Sequence, residues 1–174
     1  MRAPLASSFG LAVVVSGILA LGVGRESSAQ VEIDRVLVHV NGHVVTSSDV
    51  RQAKLLQLVE GGDTDEAVQR ALEDRILMLD EVTRSASTTP HEVPGEAELA
   101  AHRREWEGRL GGSARSAALL KQAGMSEASL QAWLRDDLRI RDYLSAQFGS
   151  LSAPDRAKAT ADWLARLRQR AGLK

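Results

Sequence analysis

The chain of 174 residues contains no cysteine, only six aromatic residues and almost no net charge, −1 at pH 7. The absence of cysteine excludes disulfide frameworks, thiolate zinc sites, a cysteine nucleophile and a lipidated N-terminal cysteine. Because aromatic residues are so few, aliphatic side chains must form the core. The balance of 22 basic and 23 acidic residues argues against a generic nucleic-acid-binding protein. The hydrophobic fraction of 44% is sufficient for one packed domain.

A long apolar run lies near the N-terminus, over Leu11–Val23. Arg2 precedes this run, and Ser27-Ser28-Ala29 supplies small residues before a cleavage point at Gln30. The arrangement predicts a signal peptide over residues 1–29 and export of residues 30–174. An uncleaved inner-membrane anchor is the alternative, because residues 3–24 are uncharged and long enough to span a bilayer.

Charge is distributed unevenly along the remaining chain. Residues 30–99 carry a net charge of −8, whereas residues 156–174 carry +5. A basic tail can bind nucleic acid or membranes. Here we favour an interpretation in which the basic C-terminal helix docks on the acidic N-terminal half of the same molecule.

A β-hairpin is predicted just after the signal peptide. The segments 36–40 and 43–46 flank Asn41-Gly42, a pair typical of a type I′ turn. The alternation of residues predicts a shared core face for four valines: Val36, Val38, Val40 and Val45. The sequence Thr46-Ser47-Ser48-Asp49 then predicts a capping box that opens the first helix.

Helical periodicity continues over the rest of the chain. The first helix is expected to end at Gly61-Gly62, and the second, capped by Asp63 or Thr64, to reach about Arg84. Further helices are predicted over about 96–110, 114–123, from Ser126 onwards, and over 153–171. The fold class is therefore mostly α, with about six helices and one N-terminal β-hairpin in a single domain over residues 30–174.

The residues that could carry out catalysis or bind metal are all explained by roles in the fold. His39 and His43 would point to opposite faces of the hairpin, which disfavours a shared metal. Asp136 and Asp137 diverge on one helix, and we expect both to lie on a solvated face among arginines. We therefore predict no catalytic residues, no metal, no cofactor and no enzyme activity.

Several stretches, in order, resemble the N-terminal domain of SurA-type periplasmic chaperones. The opening segment 33–50 is similar to that family at eight positions: Asp34, Val36, Val40, Asn41, Val45, Ser48, Asp49 and Val50. The stretches 67–81 and 119–144 follow the family's helical patterns, the latter through Leu134-Arg135, Leu138-Arg139-Ile140 and Tyr143. Residues 163–171 are similar to its C-terminal helix. The likeness covers nearly all of residues 33–171.

The resemblance implies an ATP-independent chaperone that binds unfolded outer-membrane or secreted polypeptides in the periplasm. From the charge balance we expect no nucleic-acid partner, and once the signal is cleaved we expect no stable membrane insertion; a homodimer is possible. Members of this family also carry parvulin prolyl isomerase domains, for which only residues 147–152 remain here, so no isomerase fits. A non-catalytic adaptor or oligomerising scaffold with one dedicated envelope partner is the alternative.

Binding of unfolded chains requires an apolar groove that is partly exposed and weakly selective. Methionine and tryptophan suit such a groove because both adapt to varied partners. The candidate peptide-binding residues are Leu77, Met78, Trp106, Leu130, Trp133 and Leu138. Each of them could instead belong to the core.

Overall fold

The computed structural model describes residues 34–86 and 94–173, so the predicted signal peptide lies outside the described residues. The domain is mostly helical, with one two-stranded antiparallel hairpin at its N-terminal side, which confirms the predicted fold class. In chain order the elements are β1 (Val36–Val40), β2 (His43–Thr46), α1 (Ser47–Leu55), α2 (Asp65–Ala86), α3 (Glu96–Arg109), α4 (Ser113–Ala123), α5 (Glu127–Phe148) and α6 (Ala153–Arg170).

The hairpin has the predicted turn and register. Asn41 and Gly42 both adopt positive φ angles, 48° and 86°, as a type I′ turn requires. The predicted core face is correct for three of its valines but wrong for Val36, which is 49% exposed. An irregularity between Val36 and Val38 shifts the register of β1. Because neighbouring strand residues face opposite sides, that shift turns Val36 towards solvent.

Helix α1 begins as predicted and ends six residues early. Thr46 and Asp49 form the capping box, in which each side chain accepts a hydrogen bond from the other residue's backbone N–H. The helix ends at Leu55 rather than at the glycine pair, because Gln57 adopts a φ of 48°. The N–H of Leu58 donates to the carbonyl of Ala53 at 2.9 Å, which completes a Schellman motif without glycine.

Helix α2 is the centre of the domain, since it packs against the hairpin and against α1, α5 and α6. Two apolar clusters lie around it. The first joins β2 to helices α1–α5 and contains Val45, Val50, Ala53, Leu56, Leu58, Val68, Leu72, Leu99, Trp106, Leu110, Leu120, Leu130, Leu134 and Leu138. The second joins β1, α2, α5 and α6 and contains Val40, Leu77, Val82, Ile140, Tyr143, Trp163 and Leu167.

The basic C-terminal helix docks on the acidic half of the same chain, which confirms the interpretation of the uneven charge. The Nε atom of Arg168 lies 2.5 Å from a carboxylate oxygen of Asp74 on α2. Arg170 pairs with Glu81 at 3.0 Å. Hydrogen bonds from Arg84 and Arg170 hold the pKa of Glu81 below its usual range. Opposite charges therefore reinforce the apolar contact between α6 and α2.

Candidate functional site

A cleft of about 780 Å³ runs along α2. Its other walls come from α1, α3, α5, α6 and the connection between α1 and α2. Six apolar side chains line it from α2, α5 and α6, namely Val68, Ala71, Met78, Ile140, Leu144 and Leu164. Charged side chains of both signs line the same cleft: Lys54, Glu60, Asp63, Asp74, Arg75, Arg109, Asp137 and Arg141. The cleft can therefore contact apolar and polar groups at the same time.

A buried arginine on α2 is held by α5 beside this cleft. Arg75 is only 6% exposed. Its Nη1 atom lies 3.0 Å from the Oδ1 atom of Asp137, and its Nη2 donates to the carbonyl of Trp133 at 2.9 Å. The guanidinium carbon also lies 3.8 Å from the centre of the Trp133 ring. One carboxylate thus opposes the charge of Arg75, and one carbonyl and one aromatic face contact its guanidinium.

His102 on α3 extends this group of polar residues. Its Nε2 atom lies 3.7 Å from Asp137, and its Nδ1 atom lies 3.5 Å from Glu105. Within residues 34–86 and 94–173, neither ring nitrogen makes a hydrogen bond. Burial raises the pKa of Asp137 more than Arg75 and His102 lower it. Burial also lowers the pKa of Arg75. Three helices therefore bring an arginine, an aspartate and a histidine together at a poorly solvated point.

A smaller pocket of about 280 Å³ lies between β2, α1, α2 and α5. Its lining is mainly apolar and includes Val44, Ile76, Met125 and Trp133, with few polar residues. The polar lining residues Asp49, Gln52 and Ser129 are already engaged, Ser129 with the hydroxyl of Ser126 at 2.7 Å. Asp49 belongs to the capping box, and Gln52 donates to the carbonyl of Ala123 at 3.0 Å. The pocket is therefore suited to an apolar group.

The six predicted groove residues do not form one exposed surface. Four of them belong to the core, where Leu77 is 3% exposed, Trp106 1%, and Leu130 and Leu138 0%. These four positions repeat on the inward faces of helices, and the helical period alone could not separate a groove from the interior. Met78 and Trp133 are half-buried, but Met78 lines the larger cleft and Trp133 the smaller pocket.

The group formed by Arg75, His102 and Asp137 was not foreseen. The expectation that Asp136 and Asp137 both lie on a solvated face is wrong for Asp137, whose side chain is 28% exposed. Asp136 does pair with Arg139, at 3.0 Å. A signal was present in α2, because Arg75 lies between Leu72 and Ile76 in a helix with apolar residues on two sides. An arginine there must be buried, and a buried arginine needs a carboxylate.

The histidines of the hairpin face opposite sides, as predicted, because His39 pairs with Val44 whereas His43 pairs with Val40. His43 lies 3.3 Å from Asp80 on α2. Among the residues that the structure describes, no group of three or more histidine, aspartate or glutamate side chains could hold a metal ion. No helix in the same ranges is long and apolar enough to cross a membrane.

No family model, curated protein or solved structure matches this chain. The features that bear on function are therefore the two concave sites and the sequence resemblance.

The raised pKa of Asp137 leads to a testable pH dependence. The folded protein binds this proton more tightly than the unfolded chain does, so the stability contributed by this group decreases as the pH rises from about 4 through the raised pKa. We expect carbon-detected NMR to place the Asp137 titration above that of an ordinary aspartate. Urea unfolding should show the corresponding slope, and the Asp137→Asn variant should lack it. Titration of Asp137 below the ordinary value would mean that pairing with Arg75 outweighs burial.

Proposed function

We propose that this protein is an ATP-independent periplasmic chaperone that holds unfolded outer-membrane or secreted polypeptides. The observation that supports this most is the cleft along α2, which combines apolar residues with charges of both signs. Such a surface can contact segments of varied sequence without strict selection of side chains. The ordered resemblance to the N-terminal domain of SurA-type chaperones supports the same function.

The accessible part of the cleft differs from the predicted groove. Met78, Leu144 and Leu164 are partly exposed and line it together, so we propose these three as its apolar contacts. Binding that is released without an energy source should be weak, with a dissociation constant on the order of micromolar.

The experiment measures aggregation of a denatured outer-membrane β-barrel protein after dilution from urea. Light scattering is followed with and without the purified protein. We expect near-stoichiometric amounts to suppress the scattering. Suppression should weaken in the Met78→Gln variant, because a polar amide replaces an apolar contact in the cleft.

Leu151→Gln is the matched control, since Leu151 is 39% exposed and lines neither cavity. Circular dichroism checks that both variants keep the helical fold. Equal suppression by both variants would show that the client does not bind in the α2 cleft. An absence of suppression at large excess would refute general holding and favour an adaptor with one dedicated partner.

A further inference from the structure

Within residues 34–86 and 94–173, no other strand pairs with the outer edge of β2. The sheet contains two strands, and the two-residue turn makes Val40–His43 and Val38–Val45 the hydrogen-bonded pairs. The backbone N–H and C=O of Val44 therefore point away from β1. No residue in the described ranges forms a hydrogen bond with them on that side. The edge thus offers one free backbone donor and one free backbone acceptor.

The smaller pocket lies beside this edge, since Val44 and Val45 both line it. Val45 is buried in the first apolar cluster, whereas Val44 is 43% exposed. Side chains alternate between the two faces of a sheet. A further strand beside β2 would therefore direct every second side chain towards the face of Val45. On that face the pocket presents the apolar side chains of Ile76 and Met125.

We propose that the β2 edge and this pocket bind an extended polypeptide segment, which pairs with Val44 and places one apolar side chain in the pocket. This inference rests on the proposed function and adds a binding mode to it. Backbone hydrogen bonds accept any sequence, while the pocket selects only for an apolar side chain. The unpaired groups are those of a strand backbone, and they therefore specify an extended chain rather than a helix as the occupant.

The test uses the intact protein and a labelled heptapeptide of alternating threonine and leucine with blocked ends. Binding is measured by fluorescence anisotropy. We expect Val44→Pro to weaken binding at least tenfold, because proline removes the outward N–H without removing a β1–β2 hydrogen bond. His39→Pro is the matched control, since His39 pairs with Val44 and its own N–H points to the opposite edge. This control should change binding less than twofold.

Hydrogen exchange on the unmodified protein provides a measurement that does not depend on the folding of a proline variant. The peptide should slow exchange of the Val44 amide and leave that of His39 unchanged. Equal effects of the two proline variants, or no added protection at Val44, would overturn the inference. Protection that appears at high protein concentration without peptide would assign the edge to a second copy of the chain and overturn it as well.

The barrel-aggregation assay separates this inference from the proposed function. Suppression of scattering without protection at Val44 would support the chaperone function and show that clients do not bind at the β2 edge. Protection at Val44 without suppression of scattering would support peptide binding at the β2 edge and refute a general holding function.

Discussion

Replacing Arg75 with alanine is expected to lower the free energy of unfolding by about 3–5 kcal/mol. The variant leaves the carboxylate of Asp137 in a poorly solvated position with its cation removed. It also removes the donor to the carbonyl of Trp133 and the guanidinium that stacks on the indole. Urea denaturation at pH 7, followed by circular dichroism, measures the loss.

The matched control is Arg141→Ala on α5. Arg141 pairs with Glu98 and Asp142, but its side chain is 52% exposed. Solvent screens such pairs, so the change should stay within about 1 kcal/mol. A double variant, Arg75→Met with Asp137→Leu, should recover much of the loss because no buried charge is left alone. If Arg75→Ala behaves like Arg141→Ala, the buried pair does not hold α2 against α5.

Replacing Trp106 with alanine should cost about 3–5 kcal/mol of stability, since the indole is 1% exposed within the first apolar cluster. The Trp106→Phe variant keeps an aromatic ring in the core and tests the hydrogen bond that the indole N–H makes. The Nε1 atom of Trp106 donates to the carbonyl of Leu56 at 2.9 Å, where α1 ends. Phenylalanine leaves this buried carbonyl without its donor, which should cost about 1–3 kcal/mol in thermal or urea unfolding.

Trp133→Phe is the control for that hydrogen bond. The Nε1 atom of Trp133 is buried, and no acceptor for it lies within the described parts of the chain. Loss of this N–H removes an unsatisfied donor, so the variant should stay within about 1 kcal/mol of the parent. An equal cost for the two phenylalanine variants would show that ring volume, not the bond to Leu56, determines the stability at Trp106.

Local signals predicted the elements of this fold well. The Asn41-Gly42 turn and the Thr46 cap depend on nearby backbone geometry, which short sequence motifs encode. The early end of α1 was not predictable in the same way. Gln57 adopts a positive φ that usually favours glycine, because Leu58 on its far side is buried with Ala53 in the first cluster. Tertiary packing overrides the backbone preference there.

The candidate sites were much less predictable. Apolar helix positions such as Leu130 and Leu138 share one pattern whether they face the core or a groove, and only the packed neighbours decide. The contact between Arg75 and Asp137 joins two helices that are distant in sequence. Periodicity within α2 indicates that Arg75 is buried, but it does not identify Asp137 on α5 as its partner. Likewise, the free edge of β2 exists because no third strand pairs with it in the described residues, and no local sequence motif predicts that.

The two apolar clusters differ in how much of the chain each one requires. The first is complete with residues 45–138, so it can form before α6 has been synthesised. The second joins Val40 in the hairpin to Trp163 and Leu167 in α6, at opposite ends of the described chain. Contacts between such distant positions carry a larger loop-closure cost and form late in folding. Until α6 docks, the Tyr143 ring therefore lacks its Trp163 neighbour, whose ring centre lies 5.7 Å away in the folded protein.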